Sequence, residues 1–332
     1  MITIRLPYRQ SPSLELGKAR QALPSLAELR AEAPLLLLGA LFGLLYLPQP
    51  TSIGECLAAV DWHTLKSLAA MLLIVSGIRQ SHLLDLLGRR IILQLRTERS
   101  LGLALVLFTA GSAAFLTNDI ALFVTVPLAL CLQGLVANEI SGKLIALLAI
   151  AANVGSFLTP IGNPQNLFLW HQWGISFGQF VLNMLPAWGI CLGILLLWTA
   201  LAFPQETLKP AALESPAVHW PLGGISLGLL ALYILLTEQG LENWALGLAL
   251  GIYAIWPRVL RRTDWRLLLM VALMFIDLHL AAQLRPIQRL LTSVHPQGIP
   301  LFLLGVSLSQ LISNVPAAIL LGRLSHHWRL IA

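Results

Sequence analysis

Charge is what this sequence has least of. Only 11% of its 332 residues are charged against 57% hydrophobic, and the mean hydropathy is +0.78. A chain of that composition has too little polar surface to face water on all sides, which excludes an ordinary soluble domain. Cysteine is also scarce. Cys56, Cys131 and Cys191 have neither paired nor metal-ligand spacing, so no disulfide framework, zinc site or redox pair is expected, only buried or free thiols. The opening residues lack the short apolar core and small-residue cleavage site of a secretory signal. They carry Arg5, Arg9, Lys18, Arg20 and Arg30 instead, and 1–33 reads as a cytoplasmic N-terminal tail. The net charge of +6 does not point to nucleic acid, because the basic residues stand in short loops beside apolar runs, where they set orientation.

What is abundant is apolar sequence. Runs able to enter a bilayer fall at about 34–48, 64–78, 101–136, 144–158, 178–203, 222–237, 244–257, 265–283 and 299–322. This predicts an all-α polytopic membrane protein. Several runs are nearer ~15 than the ~20 residues of a straight span, which predicts broken or re-entrant segments packed inside the protein. Loops rich in Arg belong inside: Arg79 to Arg99, which includes Arg89, Arg90 and Arg96, and the stretch with Arg258, Arg261, Arg262 and Arg266. The loops at 49–63 and 238–243 hold Glu55, Asp61, Glu238 and Glu242 with no Lys or Arg, and are expected outside. The stretch 284–298, with Arg285 and Arg289, fits the outside less well.

The chain also repeats itself. "DWHTLKSLAAM" from Asp61 aligns without a gap to "DWRLLLMVALM" from Asp264, and "FLTNDIALFVTVPLAL" from Phe115 finds a counterpart in "LISNVPAAILL" from Leu311. The two pairs are separated by nearly the same number of residues. Because the loop charges put Asp61 outside and Asp264 inside, the copies should cross the membrane in opposite senses, as in transporters built from inverted-topology repeats. The polar segment 204–220 is the expected linker between a first half, 34–203, and a second, 221–332.

Helix breakers stand inside this apolar sequence. In "TPIGNPQN", residues 159–166, Gly162 permits unusual dihedrals, Asn163 can cap a new helix, and Pro164 fits its first position. "TND" and "SNVP" repeat the logic with Asn118 and Asn314 as caps. Asp277 and His279 are ionisable within an apolar run and so are functional candidates. They lie two residues apart, on different sides of a helix. Asp277 is assigned a possible proton relay, and His326 and His327 are expected at an interface. Asn183, by contrast, is expected outside any site.

"FLTNDIALFVTVP", "ANVGSFLTPIGNPQNLFLW" and "SNVPAAILL" resemble the ion transporter superfamily, in particular its citrate-transporter-like and arsenite-permease branches, from about residue 34 onward. The resemblance implies a re-entrant hairpin at about 101–136 with Thr117 and Asn118 at its tip, and a second at 299–322 with Ser313 and Asn314. It also implies a broken helix at about 144–175 lined by Thr159, Gly162 and Asn163. Na⁺ would sit at Asn118 and Asn314, with helix N-termini suited to an anion. Asp119 stands where the dicarboxylate branch has a hydroxyl, and the Asn118–Asp119 pair is more like the arsenite-permease branch. A counterpart of Asn163 is expected beyond Ala332, so the second half reads as incomplete.

The expected function is secondary active transport of a small anion coupled to Na⁺ or H⁺, without cofactor, enzymatic chemistry or nucleic-acid partner. The expected setting is multi-pass in the inner membrane with the N-terminus inside, a homodimer being the family's tendency. The alternatives are an arsenite or cation/proton exchange permease and a truncated, non-transporting membrane protein.

Overall fold

The computed structural model describes residues 26–49, 51–131, 141–208, 217–284 and 299–324. Among these, fifteen helices and one isolated bridge, Thr97 to Thr207, make up the regular structure. The stretch 285–298 with Arg285 and Arg289, the middle of the expected linker, and His326 and His327 lie outside the described residues. Four helices are long and apolar enough to cross a membrane: Glu98–Leu116 (α5), Phe177–Ala202 (α9), Trp220–Glu238 (α10) and Trp265–Ala282 (α13). A fifth span is the pair Trp62–Gln80 (α3) and Leu83–Leu93 (α4), bent by 52°. The bend falls at His82, whose backbone is left-handed at φ 58°. The protein is an all-α polytopic membrane protein.

Helix α3 is the central strut. From Thr64 to Ile78 every residue except Lys66 is buried, as expected of a helix apolar on all sides. Its few polar atoms are all used: Ser67 Oγ and Tyr233 Oη of α10 lie 2.8 Å apart. Gly77 admits a second contact. A Cβ there would stand 2.4 Å from Tyr253 Oη and 2.5 Å from Ser226 Oγ, which themselves hydrogen-bond at 2.8 Å. Only glycine lets α10 and Glu242–Tyr253 (α11) close on α3 here.

The repeat seen in the sequence has a structural signature. Asp61 caps α3, its Oδ1 accepting from the N–H groups of His63 (3.1 Å) and Thr64 (3.2 Å). Asp264 caps α13 in the same manner, accepting from Leu267 N–H at 3.1 Å. The following tryptophan acts alike in both copies. Trp62 Nε1 donates to Leu57 O at 3.0 Å and Trp265 Nε1 to Leu260 O at 2.8 Å, each five residues back. Those acceptors belong to two six-residue helices, Ile53–Ala58 (α2) and Pro257–Arg262 (α12). Each half therefore enters its long helix through the same bracket of short helix, Asp cap and Trp clamp. Helix Leu26–Tyr46 (α1) packs on α13 and starts well before the apolar run at residue 34. Cys56 is buried and Cys191 exposed, both as free thiols.

Candidate functional site

The helix breakers at 159–166 mark a true gap. Ser141–Ser156 (α7) stops, residues 157–163 are non-helical, and Pro164–Trp173 (α8) begins. Asn163 starts α8, its Oδ1 accepting from Asn166 N–H at 2.8 Å, with Pro164 in the first turn. The Asn163 amide nitrogen turns back to the end of α7 and donates to Ser156 O at 3.2 Å. Asn166 does the larger share of that work. Its Nδ2 lies 3.1 Å from Thr159 O, 3.2 Å from Phe157 O and 3.5 Å from Ser156 O, satisfying carbonyls that the broken helix leaves without partners. Gly162 is required for the chain to fold back this tightly, since a Cβ there would meet Ser156 O at 2.0 Å.

Both predicted hairpin tips are sharp breaks at a residue of positive φ. Between α5 and Asn118–Cys131 (α6), Thr117 has φ 80° and ψ 151°. Between Ile299–Ile312 (α14) and Asn314–Leu324 (α15), Ser313 has φ 78°. Asn118 Oδ1 accepts from the N–H of Asp119 at 3.0 Å. The first hairpin is fastened to the gap, because the buried Thr159 hydroxyl donates to Ala114 O of α5.

The gap and the second hairpin together line a cavity of about 440 Å³. Asn153, Ser156, Asn163 and Asn166 come from the first half, Ser309 and Asn314 from the second, and Asn183 from α9. Phe302, Val306 and Leu321 supply apolar wall. No Lys, Arg, His, Asp or Glu is among the described residues of this lining. Of the sequence candidates, then, Asn163 and Asn314 share one cavity. Thr159 and Gly162 shape its edge, and Ser313 adjoins it. Thr117, Asn118 and Asp119 do not line it, and Asp119 is exposed. The carboxylate that would have repelled an anion therefore stands outside the cavity. Asp277 does not line it either. It is 3% exposed, and neither carboxylate oxygen has a hydrogen-bond partner among the described residues. Leu280, one turn on, packs with Leu45 and Cys56 of α1 and α2.

One expectation is corrected. Asn183 lies on the cavity wall, with its Nδ2 donating to Gln179 O at 2.7 Å. Its place within an apolar run gave no hint, because α9 packs on α5 and α7 along one side and is exposed along the rest. Asn166 was visible as a polar residue but its capping role depends on the fold-back, which sequence spacing does not show. A second cavity, of about 600 Å³, lies at the start of α3. There Glu242, with 6% of its side chain exposed, faces His63 Nδ1 at 3.4 Å and His171 Nε2 at 3.9 Å.

A helical membrane protein in which a hairpin break and an unwound helix line a polar cavity is a membrane transporter in build. The family comparison agrees: the chain belongs to the citrate transporter family (CitMHS), matching it over residues 27–327. It is 40% identical over 267 residues to inner membrane protein YbiR of Escherichia coli, covering 80% of this chain and 72% of that one. It is 32% identical over 282 residues to an uncharacterized transporter of Methanocaldococcus jannaschii, covering 84% and 76%. Silicon efflux transporter LSI3 of rice is 32% identical over 170 residues, covering 51% of this chain and 35% of that one.

Proposed function

We propose that the chain is a secondary active transporter that moves a small anion, coupled to Na⁺ or H⁺, through the cavity between α8 and the α14/α15 hairpin. The observation that carries this reading is the lining, which is rich in amides and hydroxyls and holds no ionised side chain among the described residues. Two helices begin at that cavity, α8 at Pro164 and α15 at Asn314. Their partial positive ends favour an anion without the permanent cost of a buried arginine. The amide oxygens of Asn163 and Asn314, with the hydroxyls of Ser156 and Ser309 in the same lining, suit Na⁺ as the coupling ion. An uncharged oxyacid is the second reading. It is favoured by the same uncharged lining, and the rice relative bears silicon efflux in its name.

The test is uptake by the full chain in proteoliposomes, with citrate, arsenite and silicic acid each offered under an imposed Na⁺ or pH gradient. Saturable, gradient-driven accumulation of citrate or another anion supports the first reading, and accumulation of silicic acid alone supports the second. Gradient-independent leakage of all three sinks both. For orientation we place the N-terminus and the arginine-rich loops in the cytoplasm. Cysteines at Arg90 and Arg262 should then be protected from an impermeant thiol reagent in intact cells while one at Glu238 reacts. Opposite labelling of Arg90 and Arg262 would remove the inverted arrangement.

A further inference from the structure

The two ends of α3 open onto cavities of opposite character. At its start the 600 Å³ cavity is lined by Asp61, Glu238 and Glu242, with no Lys or Arg among the described residues of the lining. At its end a cavity of about 400 Å³ is lined by Arg79, Arg258, Arg262, His82 and His219, with no carboxylate among the described residues of the lining. A buried helix of 19 residues separates them by roughly 28 Å at 1.5 Å per residue. They therefore lie at opposite faces of the membrane.

The basic cavity has a fixed floor. His219 N–H donates to Ser81 O at 3.0 Å, and Ser76 Oγ donates to Val259 O at 3.4 Å. His219 Nδ1 accepts from Leu222 N–H at 3.2 Å, which leaves Nε2 as the proton-bearing, donating nitrogen of the neutral ring. Arg79 is held with its guanidinium 4.1 Å above the ring of Phe123. None of the three arginines forms an ion pair among the described residues. The acids nearby are Asp85, paired with His82 at 2.9 Å, Asp264, the cap of α13, and Asp119, which lies within electrostatic reach of Asp264 and forms no ion pair with these arginines among the described residues. Three unpaired guanidiniums around one concavity repel one another and lack only an anion. The walls continue into apolar surface, because Trp220 and Ile255, adjacent in the chain to His219 and Trp256, are 60% and 74% exposed. A free phosphate has no use for that surface, whereas acyl chains do.

We propose that this cavity is a binding site for the phosphate headgroup of an anionic phospholipid, with Arg79, Arg258 and Arg262 holding the phosphate and the acyl chains lying over Trp220 and Ile255. It is distinct from the transport cavity. Each basic side chain near a membrane surface contributes enough to an anionic lipid that removing two should weaken binding by roughly tenfold or more. Purified full-length protein should retain phosphatidylglycerol over phosphatidylcholine in native mass spectrometry. In Arg258→Gln/Arg262→Gln that preference should fall by about tenfold. Arg266→Gln, whose side chain pairs with Glu32 at 3.1 Å outside the cavity, should keep it. The charge-keeping pair Arg258→Lys/Arg262→Lys should recover most of it, which separates a lost site from a damaged fold. Equal retention by the glutamine pair, no recovery in the lysine pair, or equal retention of phosphatidylcholine would each overturn the proposal. So would displacement of the lipid by low-millimolar inorganic phosphate, which would make this a site for a free anion.

Discussion

The two hairpins share a tip geometry and differ in everything around it. In the first, α5 lies so close to α7 that a Cβ at Gly155 would stand 2.1 Å from Ala110 O. The tip residue Thr117 is 7% exposed, and Thr159 ties the arm to the helix gap. The second hairpin is held by one arm only, with Ala317, Ile319 and Leu321 of α15 buried while Phe302, Leu303 and Val306 of α14 are exposed. Ser313 and Asn314 are exposed, and at Gly305 an added Cβ would meet nothing nearer than Leu321 Cδ1 at 3.4 Å. Its firmest outside contact is with α8, where Gly322 faces Phe168. The same backbone device is therefore locked in one half and open in the other. Within the described residues, the second hairpin is the wall of the cavity that has room to move.

The largest expected effect breaks the lock. Gly155→Ala forces side chain into backbone, where overpacking costs roughly 1–3 kcal/mol and the partner atoms have no rotamer to give. Gly305→Ala, inside a helix and with only an ordinary new contact at 3.4 Å, should instead stabilise by roughly 0.5–1 kcal/mol. Thermal unfolding in detergent measures both. Equal melting temperatures would mean that the two hairpins are held alike.

Next in size is Asn166→Leu, which keeps the volume and removes the donor. Three carbonyls, of Ser156, Phe157 and Thr159, lose that partner. An abandoned buried acceptor costs about 1–3 kcal/mol, partly offset here because Asn163 still reaches Ser156 O. Lowered melting together with lost transport is expected. Full activity at wild-type stability would show that water caps the broken helix.

Smaller, and confined to function, are the asparagines that face the cavity. Asn314→Ala and Asn163→Ala should each raise the apparent substrate or coupling-ion constant by about tenfold, equivalent to 1.4 kcal/mol. Asn183→Ala should do so to a lesser degree, and Asn118→Ala, outside the cavity, should alter ion dependence without altering substrate affinity. The comparison is sharpened if the Asn118 and Asn314 variants differ in this way. It fails if their kinetic profiles coincide.

Much of this was legible in the chain because the signals are local. The Asp–Trp pairs announce a cap and a clamp, and Asn163–Pro164 announces a helix start; all of these are decided within a few residues. The cavity itself was not legible. It exists because α8 packs against α15 and α9 passes alongside, contacts between residues far apart in the chain, so Asn183 and Ser309 carry no sequence mark of their place on its wall. Thr117, Asn118 and Asp119 were legible as a helix break, but that none of the three lines this cavity follows from how α5 packs on α7, which sequence spacing does not show.

The smallest effect concerns the tips themselves. Thr117, at φ 80° and ψ 151°, occupies a region that is essentially glycine's, and a β-branched residue there is a genuine outlier. Such a residue stores on the order of 1–3 kcal/mol. Glycine would relieve that strain but adds freedom to the unfolded chain, a cost of roughly 0.5–1 kcal/mol. The net for Thr117→Gly is a stabilisation of about 1 kcal/mol. Ser313→Gly, at φ 78° but without a branched Cβ, should gain less. A protein that keeps strained hydroxyl residues at two matching tips, where glycine would fold more easily, is using the hydroxyls. Both variants should therefore melt at or above the wild-type temperature and lose coupling-ion dependence in proteoliposome uptake. If Thr117→Gly instead lowers the melting temperature while leaving uptake intact, the hydroxyl is structural mortar for the locked hairpin and the tips play no part in coupling.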